Sequence, residues 1–111
     1  METYEVNKKI ASFKTSLDDL HKALNPQKQE EEYKKLNEDM QAPNFWNDTN
    51  QAKKVTKRVA SIRLKLDTLY QLDKKLKNLI EWFEISEEGS EEWTLLEADM
   101  DTFENELKSF E

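Results

Sequence analysis

The chain has no cysteine, one glycine, one histidine and two prolines among its 111 residues. Without cysteine there is no disulfide and no thiolate metal site. A single glycine leaves no room for a glycine-rich phosphate loop. A single histidine removes most acid–base designs; His21 sits beside Leu20 at the edge of an apolar stripe and reads as a boundary residue. No apolar run approaches the ~20 residues of a membrane-spanning helix, and the opening METYEVNKKI lacks the apolar core of a secretory signal. The default expectation is a soluble intracellular protein. Sustained two-residue alternation and Asn-Gly or Asp-Gly turns are also missing, so strands are not expected. Carboxylates are plentiful, as in Glu30-Glu31-Glu32 and Glu87-Glu88, but they read as solvated faces or helix ends. General acid–base work needs burial to shift a carboxyl pKa. No enzyme site, metal site or cofactor is expected.

What is present is charge. Charged residues make up 37% and apolar residues 36%, a balance that suits long helices with one narrow apolar stripe and a broad solvated face. Eleven aromatic residues (three Trp, three Tyr, five Phe) and regular apolar spacing argue against disorder. The net charge of −7 is segregated. Residues 1–43 carry seven basic and nine acidic side chains, residues 44–80 nine and three, and residues 81–111 one and twelve. Bulk nucleic-acid binding, to DNA in particular, is not expected of so acidic a chain, but the basic middle segment can touch a polyanion locally.

The spacing predicts an all-α fold, organised as a single helical domain over residues 1–111. Val6, Ile10, Phe13, Leu17, Leu20 and Leu24 mark one face of a first helix. Asn25-Pro26 ends it and starts a second, shorter helix, with Asn as cap and Pro in the first turn. Tyr33, Leu36 and Met40 share a face of that helix, which should stop before Pro43. A long helix is expected from about 48 to 86, capped by Asp48, with Val55, Val59, Ile62, Leu66, Leu69, Leu76, Ile80 and Phe83 as a heptad seam. Asp73 falls where that series wants an apolar residue, with Leu72 beside it. Gly89 supplies a left-handed turn, and Ser90 caps a last helix, 90–111, striped by Trp93, Leu96, Met100, Phe103, Leu107 and Phe110. A short loop forces these two helices antiparallel, and the acidic last helix then runs beside Lys65, Lys74, Lys75 and Lys77. The last seam residue falls one position before the final residue, which reads as a fragment of something longer.

Two stretches stand out. The cluster Lys53, Lys54, Lys57 and Arg58 is the one candidate surface for polyanions, with i,i+4 rows on one helix. The plain alternative is a solvated face, or pairing with acidic residues of the second helix such as Glu38 and Asp39. The stretch APNFWND, from Ala42 to Asp48, sets Phe45 and Trp46 in a loop between Pro43 and the Asp48 cap. Burying an indole removes about 200 Å² from water, so the expectation is a plug folded over the end of the bundle. On that reading Trp46→Ala costs about 3–5 kcal/mol. Tyr33, Trp82, Trp93 and the phenylalanines are expected in the core.

The segment EEEYKKLNEDMQAPNFWNDTNQAKKVTKRVASI, preceded by one helix and followed by a long helix and an acidic return helix, resembles the N-terminal domain of bacterial class I peptide chain release factors. The specific part is LNEDMQAPNFWNDTNQAKKV, and its Pro-x-Phe-Trp element favours the branch whose codon-reading tripeptide is Ser-Pro-Phe. The resemblance covers the whole chain but only the first portion of such factors. It implies translation termination on the bacterial ribosome, in the cytoplasm. It further implies a position near the stalk base, its protein and its ribosomal RNA, close to the class II release factor GTPase. Neither Ser-Pro-Phe nor the Gly-Gly-Gln loop of the family occurs here, so no decoding or catalytic residue carries over. The rival reading is a free-standing helical adaptor that binds a partner helix.

Overall fold

A computed structural model describes residues 1–111 as four α-helices and no strand. They are α1 (Thr3–Leu24), α2 (Pro26–Met40), α3 (Thr49–Ile85) and α4 (Glu91–Phe110), with a single 3-10 turn, Phe45–Asn47, between α2 and α3. Thirty-seven residues make α3 about 55 Å long at 1.5 Å per residue.

The helix ends follow from local chemistry. Asn25 adopts φ 51°, a left-handed geometry that Asn tolerates better than most residues, and its side chain accepts from the Lys28 amide at 3.4 Å. Asp48 accepts from the Gln51 amide at 3.1 Å and starts α3. Ser90 accepts from the Trp93 amide at 3.1 Å and starts α4, one residue after Gly89 turns the chain at φ 84°.

The chain divides into two units. One comprises Met1–Ala23 and Leu69–Glu111, that is α1, the second half of α3, and α4. Its core is built from Val6, Ile10, Phe13 and Leu17 of α1, Leu69, Leu72, Leu76 and Leu79 of α3, and Trp93, Leu96, Met100, Phe103 and Leu107 of α4. Phe13 meets Phe103 edge-on at 5.0 Å between ring centroids. α1 runs parallel to α4, since Met1 pairs with Glu97 and Lys9 with Glu104. It runs antiparallel to α3, with Thr3 at Glu88 and His21 at Asp73. Of the four lysines expected beside α4, Lys75 pairs with Glu106 at 2.6 Å, while Lys65, Lys74 and Lys77 enter no ion pair with it.

Two features of this unit differ from the heptad expectation. At two positions of the α3 stripe the buried residue is Leu72 in place of Asp73 and Leu79 in place of Ile80, while Asp73, Ile80 and Phe83 are only half-buried. A helix packed against two neighbours needs a wider apolar arc than a two-helix seam, and the arc shifts by one residue here. Asp73 stands outside the core because it receives the His21 Nε2 at 2.7 and 2.9 Å from its two carboxylate oxygens. Trp82, expected in the core, is 51% exposed, because it lies a step beyond the Leu72–Leu76–Leu79 face.

The start of α1 is held by the α3–α4 turn. Glu88, one of the carboxylates read as solvated, accepts from the Thr3 hydroxyl at 2.6 Å and the Thr3 amide at 2.9 Å. A carboxylate at a helix N-terminus is favoured by the unpaired amides and the dipole. The Thr3 hydroxyl, then its amide, hold the Glu88 carboxyl below its ordinary value. A depressed carboxyl pKa contributes stability that is present above the unfolded-state value and lost as pH falls through the folded-state value. We expect Glu88→Gln to flatten the acid limb of stability between about pH 5 and pH 3, where an ordinary Glu titrates, and to change little at pH 7. Urea midpoints measured across that range for both proteins check it, and parallel curves would exclude the Glu88 contact as a contributor.

The other unit comprises Leu24–Thr68, that is α2, the loop and the first half of α3. The two helices run antiparallel about the loop. α2 buries no residue fully; its Tyr33, Leu36 and Met40 are half-buried, while Ala52, Val55, Ile62 and Leu66 of α3 are buried. Arg63 lies over the Tyr33 ring at 5.1 Å and pairs with Asp67 at 2.8 Å and with Glu30 at 3.7 Å.

Candidate functional site

The basic cluster occupies the second and third turns of α3. Ala52 and Val55 turn inward, which places Lys53, Lys54, Lys57 and Arg58 on the exposed arc. The structure separates the four. Arg58 reaches α2 and grips Glu32 with both arms of its guanidinium, Nε donating to Oε1 at 3.1 Å and Nη2 to Oε2 at 2.7 Å. The hydrogen bond from Arg58 holds the Glu32 carboxyl below its usual range, and Glu32 raises the guanidinium in turn. Two of the five guanidinium N–H donors are thereby committed to Glu32, whose charge offsets that of Arg58. Lys53, Lys54 and Lys57 are exposed and enter no ion pair. They are three compact positive charges on flexible stems, within five residues of one helix face.

The intramolecular alternative was therefore realised for Arg58, but with Glu32 and not with Glu38 or Asp39. A register signal for this partner was present in the sequence. Antiparallel helices joined by a loop centred near Phe45 bring residues about equally far from that centre side by side, and Arg58 and Glu32 each lie thirteen positions from it. Glu38 and Asp39 face only the first turn of α3 on that count.

APNFWND contains a helix stop, a 3-10 turn and a helix start. Phe45 and Asn47 donate their amides to Ala42 and Asn44 carbonyls, each at 3.1 Å. Pro43 is exposed and Asp48 caps α3 as expected. The plug is corrected: Phe45 is half-buried, but Trp46 is 58% exposed. The two rings meet edge-on at 4.9 Å, so the indole packs on its neighbour and not into a core. A 3-10 turn places successive side chains about a third of a turn apart, so adjacent aromatic residues cannot both face inward.

His21 is accounted for by Asp73, and no group of three or more His, Asp or Glu side chains is placed to hold a metal ion. No helix is long and apolar enough to cross a membrane.

Comparison with known proteins places these features in a family context. The PCRF domain model matches residues 29–111, a span that includes Glu32, APNFWND and the whole basic cluster. The chain is 36% identical over 111 residues to peptide chain release factor 2 of Acholeplasma laidlawii, covering 100% of this chain and 30% of that protein. It is 36% identical over 110 residues to peptide chain release factor 2 of Petrotoga mobilis, covering 99% and 30%. The identity to the protein of the same name from Helicobacter pylori strain J99 is 25% over 113 residues, covering 100% and 31%. The chain thus spans about 30% of the length of the curated relatives it matches.

Proposed function

We propose, from the premise that this chain belongs to the PCRF domain family, that it is the N-terminal helical domain of a class I peptide chain release factor acting in translation termination at stop codons. Its role is positional. With one glycine the chain contains no Gly-Gly-Gln loop, and it contains no Ser-Pro-Phe tripeptide, so decoding and peptidyl-tRNA hydrolysis belong to other parts of the factor. The helical arm docks in the bacterial cytoplasm at the ribosomal stalk base, against its protein and ribosomal RNA, near the site of the class II release factor GTPase. The observation that supports a ribosomal contact is the division of the basic cluster: Lys53, Lys54 and Lys57 are exposed and unpaired, while Arg58 is held by Glu32.

The test uses a full-length factor carrying this domain. Lys53→Glu, Lys54→Glu and Lys57→Glu combined should weaken ribosome binding and lower the slope of log affinity against log salt by about 2–3, since each phosphate contact contributes roughly 0.7–0.9. Arg58→Gln should change the slope by much less. An affinity and slope unchanged by the triple substitution would leave the lysines as solvated surface and remove the electrostatic part of the proposal.

A further inference from the structure

The face between the second half of α3 and α4 carries a feature that the lysine cluster does not explain. A groove of about 280 Å³ is lined by Trp82, Leu79, Phe103, Asp99 and Glu106, with Thr102 between the two acids. Leu79 and Phe103 are buried and form its floor, while Trp82 is 51% exposed at its edge. At one end Lys75 and Glu106 close on each other at 2.6 Å. Asp99 is exposed and has no cationic side chain paired with it. One helical step along each helix toward the turn come Ile85, 74% exposed, and Leu95, 64% exposed. Large apolar side chains left in water on one face mark an interaction surface.

At about 280 Å³ the groove lies at the lower edge of the roughly 300–1,000 Å³ usual for small-molecule sites, and it has room for one or two side chains of a protein partner. Charge selects the kind of partner. Residues 81–111 carry twelve acidic side chains against one basic, and Asp99 brings that charge to the groove itself, Glu106 being held by Lys75. An indole face edged by a carboxylate suits a guanidinium, which stacks on the ring and donates to the acid at once. A second copy of this chain presenting the same face would bring acid against acid. We propose that the α3–α4 groove docks a basic amphipathic helix of another protein, with an arginine of that helix stacked on Trp82 and paired with Asp99 and its apolar residues laid toward Ile85 and Leu95. This inference stands apart from the ribosomal role of the lysines and holds or fails separately from it.

The experiment is fluorescence anisotropy of the 111-residue chain with a labelled helical peptide carrying Leu on one face and Arg on the other, beside Lys and Glu versions of it. The Arg peptide should bind and weaken with salt, the Lys peptide should bind several-fold less tightly, and the Glu peptide should not bind. Asp99→Lys, an exposed change that leaves the core intact, should weaken the Arg peptide at least tenfold. Trp82→Ala should do the same. Asp101→Lys alters the charge equally on α4 outside the groove lining, and should cost about twofold or less. Equal losses at Asp99 and Asp101 would reduce the binding to unspecific attraction and overturn the proposal. So would affinity indifferent to both Asp99 and Trp82, or a concentration-dependent dimer in sedimentation that Asp99→Lys abolishes.

Discussion

Trp93→Ala is expected to cost about 3–5 kcal/mol, enough to lower the melting temperature by more than about 10 °C in a domain of this size. Trp93 is 3% exposed, and its ring lies 5.9 Å from that of Phe83. Its indole N–H donates to the Met1 carbonyl at 2.9 Å, so truncation leaves a cavity and also an acceptor without its donor. The Met1 amine sits beside it on Glu97 at 2.9 Å, and that hydrogen bond raises the amine's pKa. The contrast is Trp46→Ala. With 58% of Trp46 exposed, less than half of an indole's ~200 Å² is removed from water, which bounds the loss at about 2 kcal/mol. Thermal melts of the two variants side by side separate the cases, and an equal loss at both positions would contradict the exposure of the APNFWND loop.

Phe103→Ala should have a loss of the same order, about 3–5 kcal/mol, for a different reason. Phe103 is 2% exposed and joins α4 to α1 through its edge-on contact with Phe13 at 5.0 Å. A double-mutant cycle with Phe13→Ala should return a coupling of about 0.5–1.5 kcal/mol beyond the area each ring buries. The double alanine variant is expected to approach the whole stability of a small domain, so Phe13→Leu and Phe103→Leu keep the cycle measurable. Urea unfolding followed by circular dichroism reads both. A coupling indistinguishable from zero would mean that α1 does not pack on α4 as described, and the parallel arrangement of those two helices would fall with it.

Much of the architecture was legible residue by residue. The stripe Trp93, Leu96, Met100, Phe103 and Leu107 is buried as its spacing requires, and Val6, Ile10, Phe13 and Leu17 likewise. The candidate site was legible in part: the basic cluster was visible as a charge run, while its division into one tied arginine and three unpaired lysines was carried only by the equal distances of Arg58 and Glu32 from Phe45, a signal the charge run alone does not reveal. That division depends on which α2 carboxylate comes opposite Arg58, a matter of inter-helix register. Asp73 was visible as an anomaly in the α3 stripe, and its reason, His21, lies fifty-two residues away.

The amino-acid order by itself determined where the helices begin and end. Capping by Asn25, Asp48 and Ser90 and the left-handed turn at Gly89 act over three or four residues, so nothing distant is needed to specify them. It also determined the segregation of charge that sets α4 against Lys75. Only the tertiary structure decided that Trp46 and Trp82 stay largely uncovered. Trp93, Trp46 and Trp82 are chemically the same group, yet one is buried and two stand largely in water. Burial depends on how many helices surround a given arc of another helix, and that number is a property of the assembled fold.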